Sequence, residues 1–317
     1  MRRIAVIGPG AMGSLLGGYL FEGGLEVTLV DKNPQRSARV NAQGLRITGS
    51  RGEKVLEIPS VLDVAPLGPV DLVLVTVKAY DTAGAMAQHR GLVGPETTVL
   101  TLQNGLGNVE ALRSVVGEGP VLGGTTTLGA NELEPGVVQH AGEGDTYVGE
   151  PAGGESERAR AVAASFGSAG IQTRATADVT SRIWHKVLVN VGINPLTAIA
   201  RVRNGEVARN ADLAALSRAA VLEGAAVARA AGVALPLGDE ELIEQVLGVA
   251  ERTGSNRSSM LMDRLRGQRT EIDRINGAIV DLGRERDVPT PVNETLARLV
   301  RAIEATPEVG ASTGGEG

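Results

Sequence analysis

Short apolar runs separated by polar turns fill the first half of this chain, and helical spacing takes over in the second. The run Ile4-Ala5-Val6-Ile7 predicts a buried strand, and Ser14 to Phe21, a few residues later, reads as a helix. Val27-Thr28-Leu29-Val30 predicts a second strand and Pro34 to Ala42 a second helix. Leu45 to Ile47 and Val55 to Ile58, joined across Gly49-Ser50-Arg51-Gly52, predict a hairpin. Asp71 to Val77 is a nearly continuous β-branched and aliphatic run, as expected of a strand buried on both faces, and it ends at Lys78. Val99 to Leu102 repeats that pattern and ends at Gln103-Asn104-Gly105; shorter strand candidates follow at 121–128, 137–140, 146–149 and 171–174. From about Asp178 the pattern is helical: 181–191, 196–199, an Ala-rich stretch at 211–231, then 240–249, 260–266, 270–283 and 290–305.

Strands alternating with helices, followed by helices alone, predict an α/β chain of two domains. Residues 1–177 are expected to form a Rossmann-type, doubly wound sheet, residues 178–307 an all-α domain, and residues 308–317 a disordered tail.

The turn between the first strand and helix carries the clearest chemistry. Gly8-Pro9-Gly10-Ala11-Met12-Gly13 is a G-x-G-x-x-G turn, which in this context places a dinucleotide pyrophosphate on a helix N-terminus. Gly8 serves the tight turn, Gly10 the approach of the backbone to phosphate, and Gly13 the close packing of helix on strand. With 43 glycines in 317 residues the motif alone is weak, but its position between a strand and a helix is not. Asp31 ends the second strand eighteen residues past Gly13, where a carboxylate meets an adenosine ribose.

Bulk properties narrow the remaining classes. Thirty-one basic against 37 acidic residues, without charge blocks, argue against nucleic acid or anionic membrane as partners. The absence of cysteine removes disulfides and thiolate chemistry, and three scattered histidines do not suggest a metal site. Arg2-Arg3 before an apolar stretch resembles a secretory signal, but the glycines and Pro9 would break its helix. With no run of 18 apolar residues, a soluble cytoplasmic protein is expected. The Ala-rich stretch leaves open whether the chain forms a homodimer.

In the helical half, Lys186 and Asn190 stand four residues apart, about 40° from one another around a helix. Val187, Leu188, Val189 and Val191 make that helix apolar nearly all round, so its lysine and amides need partners, and a substrate anion is one. Asn194 continues the stripe. Because Pro195 follows it, the helix is expected to break there, with Asn194 capping the next segment. His185 points about 100° away from Lys186 and reads as structural.

These blocks bear a resemblance to a known family. GPGAMG at 8–13, VTVKAYD at 75–81, LQNGLG at 102–107, RIWHKVLVNVGINPLTAI at 182–199, RNGEV at 203–207, SSML at 258–261 and RTEIDRINGAIV at 269–280 occur in the order and spacing of ketopantoate reductases. The chain resembles that family over nearly its whole length. The resemblance implies a helical half like the C-terminal domain of 6-phosphogluconate dehydrogenase. It implies reduction of a 2-oxo acid, 2-dehydropantoate, by NADPH or NADH. It also implies that Lys186 is the general acid, that Asn190, Asn194, Asn204 and Ser259 line the substrate site, and that Glu271 meets the substrate hydroxyl. Gly8, Gly10, Ala11, Met12, Gly13, Asp31 and Lys32 would hold the coenzyme, with Lys78 and Asn104 beside the nicotinamide and substrate.

Those residue types suit that chemistry. Negative charge grows on a carbonyl oxygen as hydride reaches its carbon, and an ammonium can stabilise that charge and supply a proton. Amides orient a substrate without adding charge. Blander readings remain for single residues: Ser258 or Ser259 as a helix cap, Glu271 as a first-turn acid, Asn204-Gly205 as a turn. A related β-hydroxyacid or branched 2-oxo acid dehydrogenase, or a dinucleotide sensor without turnover, are the alternatives. The family commonly uses NADPH. Asp31 favours NADH, while Lys32 and Arg36 are placed to reach a 2′-phosphate.

Overall fold

The computed structural model describes residues 1–306, so the expected disordered tail lies outside the described residues. The chain divides into two compact units, Met1–Ile183 and Trp184–Gly317.

In the first unit the run Ile4–Ile7 lies inside β1 (Arg3–Ile7), which is paired in parallel on both sides. The helix α1 (Ala11–Glu22) leads to β2 (Glu26–Val30), and α2 (Pro34–Gln43) leads to a hairpin of β3 (Leu45–Gly49) and β4 (Lys54–Leu56). After β5 (Ser60–Val61) the chain returns to the other side of β1. There it lays down β6 (Leu72–Val75), α3 (Thr82–Gln88), β7 (Thr98–Thr101), α4 (Asn108–Val116) and β8 (Val121–Thr126). Then come β9 (Gly129–Glu134), β10 (Val137–Gly142), β11 (Thr146–Gly149), α5 (Glu157–Ser168) and β12 (Thr173–Ala175). The main sheet runs β12-β11-β8-β7-β6-β1-β2-β5, parallel except where β11 meets β8. Strand order reverses beside β1, and ligands gather at the carboxyl ends of strands at such a reversal.

Alternation along the strands builds two cores. Ile4, Val6, Leu72 and Leu74 join one cluster with Leu15 and Leu16, whereas Ala5, Ile7, Val73 and Val75 join the other with Met86 and Leu112. A second sheet, β4-β3-β10-β9, packs on the far side of α1. This sheet was not foreseen: only its hairpin and β10 were expected, because the half-exposed residues of β9 lack a clean alternation. Its presence explains why α1 has no polar stripe, since Gly13 to Leu20 are all buried between the sheets.

The second unit is helical: α6 (Val179–Ala200, which begins in the first unit), α7 (Asn204–Arg209), α8 (Ala211–Ala230), α9 (Asp239–Arg252), α10 (Ser259–Leu265), α11 (Asn276–Glu285) and α12 (Pro291–Ala305). The Ala-rich α8 packs against α7, α9, α11 and α12, burying Ala220, Val221, Gly224, Ala225, Val227 and Ala228. No helix among the described residues is long and apolar enough to cross a membrane.

Two expected helices differ. The stretch 270–283 is not one helix; a 3₁₀ turn, Ile272–Arg274, precedes α11, and Ile275 breaks the path with φ −107° and ψ −94°. Conversely, α6 runs unbroken through Pro195, and Asn194 does not cap a new helix. Proline in a helix interior costs about 3 kcal/mol, part of it a carbonyl left without its donor. Here that carbonyl is Val191 O, and the buried Asn276 Nδ2 lies 3.4 Å from it as a replacement donor. A tertiary contact, invisible to local rules, sustains the helix.

Candidate active site

The glycine turn follows β1. Gly8 has φ +82°, and a Cβ there would lie 2.5 Å from Val77 Cγ1, so no other residue fits. A Cβ on Gly13 would collide with Thr76 Oγ1 and stand 2.8 Å from Gly8 O. Gly10 differs: a Cβ there would meet nothing within 4 Å among the described residues. Its lack of a side chain therefore serves no packing among the described residues. It keeps open the space over the start of α1, where Ala11, Met12 and Gly13 present first-turn N–H groups, with no acidic residue and no side-chain cap. An anion of the pyrophosphate type fits this cradle.

The loops after β6 and β7 are tied together. Lys78, half-buried, precedes a 3₁₀ turn, Ala79–Asp81, and its carbonyl accepts from Asp81 N at 2.8 Å. Gln103 Nε2 donates to Val77 O (2.6 Å) and Thr82 Oγ1 (2.9 Å), and Asn108 Nδ2 donates to Asn104 O (2.9 Å). Gln103, Thr82 and Asn108 thus set the loops that carry Lys78 and Asn104. Local sequence patterns give them no role, although Gln103 and Thr82 lie within or beside the two family blocks.

Asp31 stands at the end of β2, only 2% exposed. Its carboxylate accepts from Asn33 N and, through both oxygens, from Arg36 Nε and Nη2. Arg36, expected to be available to a phosphate, is committed to Asp31 and to Glu132, 2.9 Å from Nη1. Lys32 pairs with Asp81 at 2.7 Å but is 78% exposed. That surface pair is worth about 0–1 kcal/mol and exchanges readily. Breaking a buried pair such as Asp31–Arg36 typically costs roughly 3–5 kcal/mol, so it persists.

In the second unit, α6 presents Lys186 and Asn190 half-buried, with Asn194 6% exposed. Leu188 and Gly192 lie about 200° round from Lys186 and Asn190 respectively. They form the packed side: Gly224 of α8 lies against Leu188, and a Cβ on Gly192 would press on Ser217, Val221 and Val246. Burial lowers the Lys186 ammonium to about 8, partly offset by the negative charge of Glu271. Glu271, 8% exposed, precedes the 3₁₀ turn. His185 bonds Gln245 Oε1 at 2.6 Å, in keeping with a structural role.

Asn204 opens α7 rather than a turn. Its Nδ2 donates to Thr253 Oγ1 at 3.0 Å, while its Oδ1 is a buried acceptor without a partner among the described residues. The cap of α10 is Ser258, which accepts from Leu261 N, leaving Ser259 exposed as the first helical residue. Thr197 Oγ1 donates to Asn194 O at 2.9 Å, so the 2.6 Å contact between Thr197 and Ser258 uses the Ser258 proton. This chain links Asn194 to the start of α10, another connection that the sequence did not reveal.

Two family models match the chain: "Ketopantoate reductase PanE/ApbA" over residues 4–153 and its C-terminal counterpart over 178–304. A 2-dehydropantoate 2-reductase of Halobacterium salinarum is 44% identical over 303 residues, covering 95% of this chain and 99% of that protein. The crystal structure of 2-dehydropantoate 2-reductase from Geobacter metallireducens is 31% identical with a TM-score of 0.90, covering 96% and 100% of the two chains. A ternary structure of D-mandelate dehydrogenase with NADH and anilino(oxo)acetate is 28% identical with a TM-score of 0.91, covering 96% and 98%. These matches span both units, and the chain belongs to the ketopantoate reductase PanE/ApbA family.

Proposed function

We propose that this chain reduces the 2-oxo group of 2-dehydropantoate to give (R)-pantoate, in pantothenate and coenzyme A synthesis. The observation that carries this reading is the similarity to 2-dehydropantoate 2-reductases along nearly the whole of both chains. A nicotinamide dinucleotide, when bound, supplies the hydride. Gly8, Gly10 and the first turn of α1 are suited to its pyrophosphate, and Asp31 to the adenosine end. Lys186 donates a hydrogen bond to the substrate's 2-oxo oxygen and passes it a proton as charge develops. Asn190 and Asn194 orient the substrate, Ser259 and Asn204 Oδ1, which has no partner among the described residues, add polar contacts, and Glu271 accepts from the substrate hydroxyl.

Asp31 favours NADH over NADPH, because a carboxylate accepts from two ribose hydroxyls and repels a phosphate dianion. The commitment of Arg36 to Asp31 strengthens that preference.

A panel of 2-oxo acids tests the substrate. We expect kcat/KM for 2-dehydropantoate to exceed that for 2-oxoisovalerate by about tenfold or more, as for loss of a hydrogen bond to a charged group. The gap should narrow in Glu271→Ala. Comparable turnover of both acids by the native enzyme would remove Glu271 from specificity. The reaction should also slow above pH about 8, where Lys186 loses its proton. A flat kcat/KM profile from pH 7 to 9.5 would contradict the role of Lys186 as acid.

A further inference from the structure

Glu132 lies far from every motif, on β9 of the second sheet, yet its Oε1 stands 2.9 Å from Arg36 Nη1. Arg36 is therefore held on two edges. Its Nε and Nη2, the pair that would grip a phosphate, point at the buried Asp31, and Nη1 points at Glu132. Side-chain exposure is 1% for Asp31, 17% for Arg36 and 25% for Glu132, so the triad is only partly screened by water. One guanidinium faces two carboxylates, so the triad itself carries a net negative charge.

We propose that Glu132 is a positioning residue for coenzyme choice: it anchors Arg36 against Asp31 and keeps that arginine from a 2′-phosphate. The proposal rests on the reading of the first unit as a dinucleotide site. Without Glu132, Arg36 is balanced by a single carboxylate and Nη1 is released. The guanidinium can then turn one edge outward while the other still satisfies Asp31. With Glu132 in place, a 2′-phosphate meets two carboxylates and an arginine whose phosphate-gripping edge is taken. The neighbouring pair, Arg39 with Glu134, joins the same helix and strand at 2.8 Å but is more exposed and does not touch Asp31. It provides an internal control for loss of the α2–β9 tie.

The test uses the full chain and two probes, ADP and its 2′-phosphorylated form, 2′-phospho-ADP, titrated by calorimetry into native protein, Glu132→Gln and Glu134→Gln. We expect Glu132→Gln to tighten 2′-phospho-ADP by about fivefold to tenfold while ADP stays within about twofold, the scale of one unit charge removed from partly solvated surroundings. The ratio of kcat/KM for NADPH over NADH should rise by the same factor through KM, with kcat unchanged, and Glu134→Gln should leave both ratios alone. Equal changes for the two probes, or no change in their ratio, would overturn the proposal and leave Glu132 a structural residue. Failure of native protein to bind either probe would instead overturn the dinucleotide reading itself.

Discussion

Replacing Lys186 with methionine should lower kcat by roughly 10²–10⁴-fold, the usual contribution of a general acid, while KM changes far less. The same change should make the protein more stable at neutral pH. Burial holds the folded ammonium at about 8, below the ordinary lysine value, so between those values the unfolded chain holds the proton more tightly. The penalty is fully present below pH 8 and fades as pH rises toward the ordinary value of about 10.4. A methionine of similar length avoids it, and the gain at pH 7 should be on the order of 1–3 kcal/mol, shrinking at high pH. Thermal melts of both proteins from pH 7 to pH 10.5 check this. A variant that keeps kcat but raises KM would make Lys186 a binding residue, and one destabilised at every pH would show that the lysine is not strained by burial.

The glycines of the first turn should separate binding from folding. Gly10→Ala places a methyl group where no described residue lies within 4 Å, so stability should be nearly unchanged. Dinucleotide affinity should nevertheless fall by about tenfold or more, corresponding to about 1.4 kcal/mol or more of lost binding, because that methyl occupies the approach to the first turn of α1. Gly13→Ala should do the reverse. Its methyl group would strike Thr76 and Gly8, and overpacking of this kind destabilises by about 1–3 kcal/mol. Urea unfolding together with ADP titration distinguishes the two. Unaltered affinity in a folded Gly10→Ala protein would remove the pyrophosphate from this turn.

What could be read from the sequence was what depends on local order. The path from β1 through the glycine turn to Asp31 follows from spacing alone, as does the shared face of Lys186 and Asn190. Contacts between distant segments were hidden. Nothing in residues 27–36 announces that Arg36 folds back on Asp31, and Glu132, 96 residues further on, belongs to a strand too exposed to stand out. The expected break before Pro195 failed for the same reason. The donor at Val191 O comes from Asn276, 85 residues away, whose block had been noted for other residues. Ser258, considered only as a cap, proved to be both cap and partner of Thr197. Candidate site residues could thus be named from local patterns, while the long-range contacts around Asp31, Asn194 and Pro195 could not.

This chain is expected to couple oxidation of a reduced nicotinamide dinucleotide to reduction of 2-dehydropantoate. Absorbance of the reduced nicotinamide at saturating 2-dehydropantoate, followed alongside chromatographic measurement of pantoate, tests it most directly. One pantoate should form for each dinucleotide oxidised, with the rate abolished or nearly so in Lys186→Met. Dinucleotide binding without oxidation, or oxidation without pantoate, would contradict it.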